Sequence, residues 1–268
     1  MSAPILNAAV VQRHDLNEFL SIVRIRPHSG VIPPFEPGQF LMLGLPRNAE
    51  TSNASPAVSV SPVRWVRRAY SIASASGGVD HFEFFLARIE RGRLTSQLWA
   101  LDVGDELWAD DRARGDFTLA RVPPGADVVM VCTGTGLAPF MSMLRSRRSA
   151  GVWRRTVLIH GVRQVSDLGY RDELERLARE DATFHYIPVV SRAAPDGPWN
   201  GLRGRVQSAL TPQFLESRAG VSLSPDRCHV MLCGNPAMIR DVEMLLAPLG
   251  FRAHTTREAG NLHYERYW

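Results

Sequence analysis

Residues 128–140 read VVMVCTGTGLAPF, and this stretch decides what kind of fold the second half of the chain adopts. An apolar run with no polar alternation leads straight into Gly134-Thr135-Gly136, and Pro139 follows where a helix would begin. An unbroken apolar strand is one buried on both faces, as in a parallel sheet covered by helices. Proline is tolerated in the first turn of a helix because its missing N–H would have had no partner there. Glycines at such a turn let the backbone approach a phosphate, and the helix N-terminus adds amide donors and a favourable dipole. The strict dinucleotide fingerprint GxGxxG is not met, since Pro139 holds its last place. By itself the stretch reads equally well as an ordinary tight strand-to-helix turn.

Working outward, the same grammar continues to the C-terminal side. TVLIH, FHYIPVV, HVMLC and RAHTT are apolar or β-rich runs, separated by helical stretches such as YRDELERLARE and PAMIRDVEMLLAPL. Strand alternating with helix predicts a parallel sheet with helices on both faces. Toward the N-terminus the period changes. ILNAAVVQRHDL, EFLSIVRIRP, GQFLMLGLP, RAYSIAS, HFEFFLARIE and DELWADDRARGDFTL alternate in polarity between breakers such as PPFEPG, SGG and DVGD. That spacing predicts an antiparallel barrel or sandwich. The chain therefore reads as two domains, residues 1–121 and 122–268, joined near VPPGAD. Residues 47–65, rich in Ser, Ala, Pro and Asn, read as a surface loop extending a hairpin.

Composition agrees with a globular chain large enough for two cores: 268 residues, 45% hydrophobic and 22% charged. No apolar run approaches the roughly 18 residues of a membrane span. The N-terminus lacks a signal peptide's basic region and long apolar stretch, so the expectation is a cytoplasmic protein. Cys132, Cys228 and Cys233 lack the number for a disulfide framework and the spacing of a zinc or iron–sulfur site. All 31 basic side chains are Arg, and residues 122–268 hold 18 of them against 14 acidic groups, so the formal +4 lies in the second half. This mild excess suits a phosphate-bearing or acidic partner and is too weak to argue for nucleic acid.

Three further stretches have chemical content. In RRAYSIAS, residues 67–74, Arg68 and Tyr70 share a strand face, pairing a guanidinium that fits phosphate with a ring that can stack. Ser71 points the other way and can offer its hydroxyl to a ligand edge. In ERGRLTSQL, residues 90–98, Thr95 or Ser96 is placed to cap a short helix whose freed amides would face a phosphate. VMLCGNPAM, residues 230–238, repeats the strand–Gly–helix arrangement and sets Cys233 at a strand's carboxyl end, where open parallel sheets bind ligands. Each has a plain structural reading too: an amphipathic strand, a capped helix and a small buried cysteine.

Taken in order, FEPGQF, RAYSIAS, GRLTSQL, GDFTL, GTGLAPF, HGVR, VVSR, MLCGNPAM and the terminal HYERYW span residues 35–268. The sequence resembles the ferredoxin–NADP⁺ reductase family, most closely its bacterial branch. The resemblance implies an antiparallel Greek-key FAD-binding β-barrel followed by a Rossmann-like parallel-sheet NADP-binding domain. It also implies hydride exchange with NADP(H) and single-electron exchange with ferredoxin or flavodoxin.

Residue by residue, it implies that Arg68, Ala69 and Tyr70 hold and stack on the flavin, and that Ser71 hydrogen-bonds near its reactive nitrogen. Leu86, Ala87 and Arg88 line the flavin, and Arg93, Leu94, Thr95 and Ser96 bind its pyrophosphate. Gly134, Thr135 and Gly136 face the nicotinamide nucleotide, with Thr135 shared between the two cofactors, and Cys233, Gly234, Asn235 and Met238 lie beside it. Glu265 shapes the flavin site and its proton supply. Tyr267 covers the isoalloxazine and must yield to the nicotinamide, while Trp268, one residue beyond the plant-type terminus, stacks on adenine. Arg163, Ser191, Arg192 and Arg205 would clamp the 2′-phosphate, the strong charge-assisted kind of contact, with Arg203 competing for the role of Arg205. The protein is expected to be a monomer, binding neither nucleic acid nor membrane. Two rivals keep the fold: a flavin reductase or oxygenase reductase component, and a flavin-binding electron-transfer subunit. Both often come with cysteine clusters that this sequence lacks.

Overall fold

The computed structural model describes residues 5–46, 65–89, 92, 94–146, 152–255 and 257–266. Two six-stranded sheets make up the protein. The first contains β1 (Ala8–Asp15), β2 (Leu20–Pro27), β3 (Phe40–Pro46), β4 (Trp65–Ser71), β5 (Phe82–Ala87) and β6 (Glu106–Ala109), paired antiparallel in the order β4-β3-β6-β1-β2-β5. Ile72, just past β4, bridges Phe84 of β5, so the two outer strands meet and the sheet closes. Closure is what removes exposed strand edges. Leu41, Leu43, Phe82, Phe84 and Leu107 fill the interior, and the short helix α1 (Thr95–Trp99) adds Leu98 to the same core.

The second sheet contains β7 (Asp127–Thr133), β8 (Arg155–Val162), β9 (Phe184–Val190), β10 (Leu202–Arg203), β11 (Cys228–Gly234) and β12 (Leu262–Arg266). Its strands are parallel, in the order β10-β9-β8-β7-β11-β12. Alternate residues of β7 serve opposite faces. Val129 and Val131 pack with α4 (Pro212–Ala219) and α5 (Pro236–Leu246) through Leu215, Ile239 and Val242. Val128, Met130 and Cys132 pack with α2 (Ala138–Arg145) and α3 (Arg171–Glu180) through Phe140, Met143 and Leu174. This second face also takes in Leu20, Ala73 and Phe85 from the barrel, so one continuous apolar layer joins the two sheets.

Helix starts follow local chemistry. Asn235 Oδ1 accepts from the Ala237 N–H at 2.7 Å ahead of Pro236, and Thr211 Oγ1 accepts from Phe214 at 3.3 Å ahead of Pro212. Gly220, at φ 59°, ends α4 in the left-handed conformation that favours glycine.

Four expectations change. DELWADDRARGDFTL forms a strand only over Glu106–Ala109; the chain then turns, with Arg114 paired to Asp110 at 3.0 Å and Gly115 at φ 106°. Residues 252–255 of RAHTT form no strand, only a single parallel bridge from Ala253 to Leu262. Thr255 Oγ1 accepts from the Arg257 and Glu258 N–H groups at 3.3 and 3.0 Å, so a side chain takes the amides and turns the backbone. The sixth parallel strand is instead β12, drawn from HYER, which the sequence marked only as an aromatic tail. Finally, neither Thr95 nor Ser96 caps α1: Leu94 holds that position with no side-chain bond, and Ser96 Oγ donates back to the Gly92 carbonyl at 2.6 Å. Most of the 47–65 loop, along with Arg93, Tyr267 and Trp268, lies outside the described residues. Among the described residues no helix is long and apolar enough to cross a membrane.

Candidate active site

From β7 the chain builds outward through β8, β9 and β10, then returns to lay β11 on the other side of β7. Strand order thus reverses between β7 and β11, and open parallel sheets carry their ligands in the crevice at that reversal. Both carboxyl ends there are glycine turns. Gly134 opens a 3₁₀ turn to Leu137 at φ 54°, with open space where a side chain would stand. Gly136 has no such room: a Cβ would collide with the carbonyl of Cys233. Thr133 Oγ1 accepts from the Asn235 N–H at 3.0 Å, tying the two turns together.

In front of them lies a cleft of about 760 Å³. Ala87 and Arg88, expected at the flavin, and Gly134, Thr135, Arg163, Ser191, Arg192, Arg205, Gly234, Asn235 and Met238, expected at the nicotinamide nucleotide, all line it. The ends of β8 and β9 are pinned by Arg192 N–H to Arg163 carbonyl at 2.9 Å, and Ser191 Oγ donates to the Val162 carbonyl at 3.1 Å. Those bonds hold the Arg163 and Arg192 segments side by side. Arg205 lines the cleft with Asp241 at 3.8 Å, whereas Arg203 donates to the Trp199 carbonyl at 2.6 Å and is folded onto its own loop.

Behind the cleft, three residues from distant segments converge. Ser71 Oγ donates to Glu265 Oε2 at 2.9 Å, and Cys233 Sγ lies 3.9 Å from the same oxygen. The register explains it: Cys233 pairs with Glu265 across β11 and β12, while Ser71 closes β4 against them. Burial pushes the Glu265 carboxyl up to about 6, Ser71 pulls it down, and the Asp116 charge pushes it further up. Cys233 is fully buried.

On the barrel side, Tyr70 stands edge-on to Phe84 with ring centroids 6.4 Å apart. Its hydroxyl is buried with no hydrogen-bond partner among the described residues, while Arg68 and Ala69 beside it are exposed. Burial holds the phenol well above its usual pKa. Leu86 and Leu94 are buried in the barrel core and present no side-chain surface. Thr95 is half-buried and Ser96 exposed.

Sequence reasoning missed the cleft residues Phe19, Gln164, Asp167 and Asp241. Phe19 sits in the β1–β2 turn, whose Asn17 reaches across to the Ser166 carbonyl and Asp167 at 3.1 Å each. Nothing in those two segments signals that they meet.

Residues 130–244 match the oxidoreductase NAD-binding domain family. The chain is 32% identical over 267 residues to a flavodoxin/ferredoxin--NADP reductase of Buchnera aphidicola subsp. Schizaphis graminum, covering 99% of each. It is 33% identical over 243 residues to the flavodoxin/ferredoxin--NADP reductase of Escherichia coli strain K12, covering 90% of each. A solved ferredoxin NADP⁺ reductase from Neisseria gonorrhoeae with bound FAD and NADP superposes with TM-score 0.82 at 28% identity, covering 99% of both chains. With near-complete coverage at this identity, the chain belongs to the flavodoxin/ferredoxin–NADP reductase family.

Proposed function

We propose that this protein is an FAD-dependent oxidoreductase that exchanges hydride with NADP(H) and single electrons with ferredoxin or flavodoxin. The observation that carries the reading is the meeting of Ser71, Cys233 and Glu265 next to Gly234, which lines an arginine-lined cleft at the point where strand order reverses.

The residues present fit both cofactors. A dinucleotide needs a backbone that can be approached closely, and Gly134 leaves that space open. A flavin needs a polar partner and a flat face on the barrel, and the Tyr70 hydroxyl, unpartnered among the described residues, with exposed Arg68 supplies both. When bound, FAD supplies the two-electron-to-one-electron conversion that side chains cannot perform.

The chain's own part is to bind, orient and handle a proton. Arg163, Arg192 and Arg205, with Ser191, are assigned to the 2′-phosphate, since charge-assisted contacts to phosphate are the strong ones. The Gly134–Gly136 turn is assigned to the pyrophosphate and nicotinamide side, next to Asn235 and Met238. Arg68, Ala69 and Tyr70, with Arg93 to Ser96, are assigned to the flavin nucleotide. Glu265, a carboxyl near 6, exchanges a proton close to neutral pH through Ser71 Oγ. Tyr267 and Trp268 are assigned as the stacking platforms for isoalloxazine and adenine. The two units divide at residues 121/122, and the protein works as a cytoplasmic monomer.

The test is purification followed by an absorbance spectrum and reduction of a dye acceptor by NADPH or NADH. Bound FAD and a preference for NADPH are expected. Protein that takes up no flavin would overturn the reading, and lack of preference would overturn the phosphate assignment.

A further inference from the structure

The apolar layer between the sheets is non-directional, so it holds them together without fixing their angle. A buried polar network at its edge does have direction. Glu83 of β5, only 2% exposed, accepts from Arg145 Nη1 at 2.6 Å, Arg24 Nε at 2.7 Å and the Tyr170 hydroxyl at 3.0 Å. Arg145, the last residue of α2, donates as well to both carboxylate oxygens of Glu173 on α3, each at 2.7 Å, and to the Ala73 carbonyl at 2.9 Å. Next to it the Ser76 N–H donates to Ser146 Oγ at 2.8 Å. Tyr170 is the one non-glycine residue with positive φ among those described, at 57°, and its ring lies 5.0 Å from the Arg145 guanidinium and 5.4 Å from Phe85. A residue held there is strained, and surrounding contacts must over-determine it.

Stability alone does not account for this network. A buried ion pair costs desolvation that its attraction barely offsets, and well-packed apolar residues would do as well. Its placement is informative instead. Helix α2 begins beside the Gly134–Leu137 turn and ends at Arg145; Arg145 holds Ala73, two residues from Ser71. A short path, one helix and one hydrogen bond, thus connects the cleft's glycine turn to the barrel residue that meets Glu265.

We propose that Arg145 is a positioning residue of the reaction: together with Glu83, Glu173 and Tyr170 it fixes the angle between barrel and parallel sheet, and so the placement of Ser71 relative to the Gly134 turn. The proposal rests on the functional reading above. Arg145 touches neither cleft nor Glu265, so its effect falls on turnover and spares nucleotide affinity.

The test uses the flavin-loaded chain carrying V103C and M244C, exposed sites on barrel and α5, for spin labels; the three native cysteines are buried. Pulsed dipolar spectroscopy then reads the distance between the units. The Arg145→Met/Glu83→Gln double variant removes both charges together; Glu173 and Arg24 lose a partner but reach solvent, their side chains 31% and 37% exposed. It is expected to give a broadened or shifted distance, a kcat lower by up to about 10²-fold, and an NADPH KM within about threefold of the parent. Arg145→Lys, which keeps the charge but not the fork of donors, is expected to fall between and serves where the double variant does not fold. An unchanged distance, an unchanged kcat, or a loss expressed mainly in KM overturns the proposal. A parent protein without flavin or NADPH activity overturns the functional reading instead, and the distance measurement still decides whether the network sets the angle.

Discussion

Replacing Glu265 by Gln tests the electrostatics of the site most directly. The carboxyl is drawn from an ordinary 4.5 to about 6, chiefly by burial. At 1.36 kcal/mol per decade of proton affinity, that rise is worth about 2 kcal/mol. Below about pH 4.5 the group is neutral folded and unfolded. Between there and pH 6 the folded protein binds more protons, so stability falls as pH rises, and above 6 the full amount is lost. Gln is neutral at every pH, has nearly the same shape, and its carbonyl can still accept from Ser71 Oγ. Glu265→Gln is therefore expected to gain about 2 kcal/mol on the parent between pH 4 and pH 8. Urea unfolding of both proteins at half-unit pH intervals measures it, with equal slopes in denaturant as the control. A difference that stays constant across the range, or one that favours the parent above pH 6, refutes the reasoning. The same variant should slow dye reduction if the carboxyl supplies the proton.

Three further outcomes are expected. Gly136→Ala drives a methyl into the Cys233 carbonyl, where backbone must yield, so thermal unfolding should show a loss of roughly 1–3 kcal/mol together with weaker NADPH binding. Arg192→Ala should weaken NADPH by roughly 1.5–3 kcal/mol, about ten- to a hundredfold, and leave NADH unchanged in titration calorimetry. His263 is lowered to about 4 by burial and by the charges of His229, His254 and Arg121, so its contribution is full above 6.5 and lost as pH falls through 4. His263→Asn should flatten that acid limb of the stability profile by up to about 3 kcal/mol.

Much was legible because some residues announce a local need. The run into Gly134 and the Pro139 helix start each solve a backbone problem at their own position, so they read without a partner. The arginines of HGVR and VVSR came from the family resemblance, and they line one cleft. Thr95 and Ser96 misled for the opposite reason: a hydroxyl near a helix start can cap it or bond backward, and the choice lies in the local turn.

The sequence alone determined the two kinds of sheet and their order along the chain, because those follow from short-range periodicity. Tertiary structure alone decided that Glu265 belongs to the last parallel strand and so meets Cys233 and Ser71. It also decided that Phe19 reaches the cleft and that Arg145 finds Glu83 across 62 residues. Those contacts depend on strand register and on how two sheets pack, and no single stretch of chain carries either.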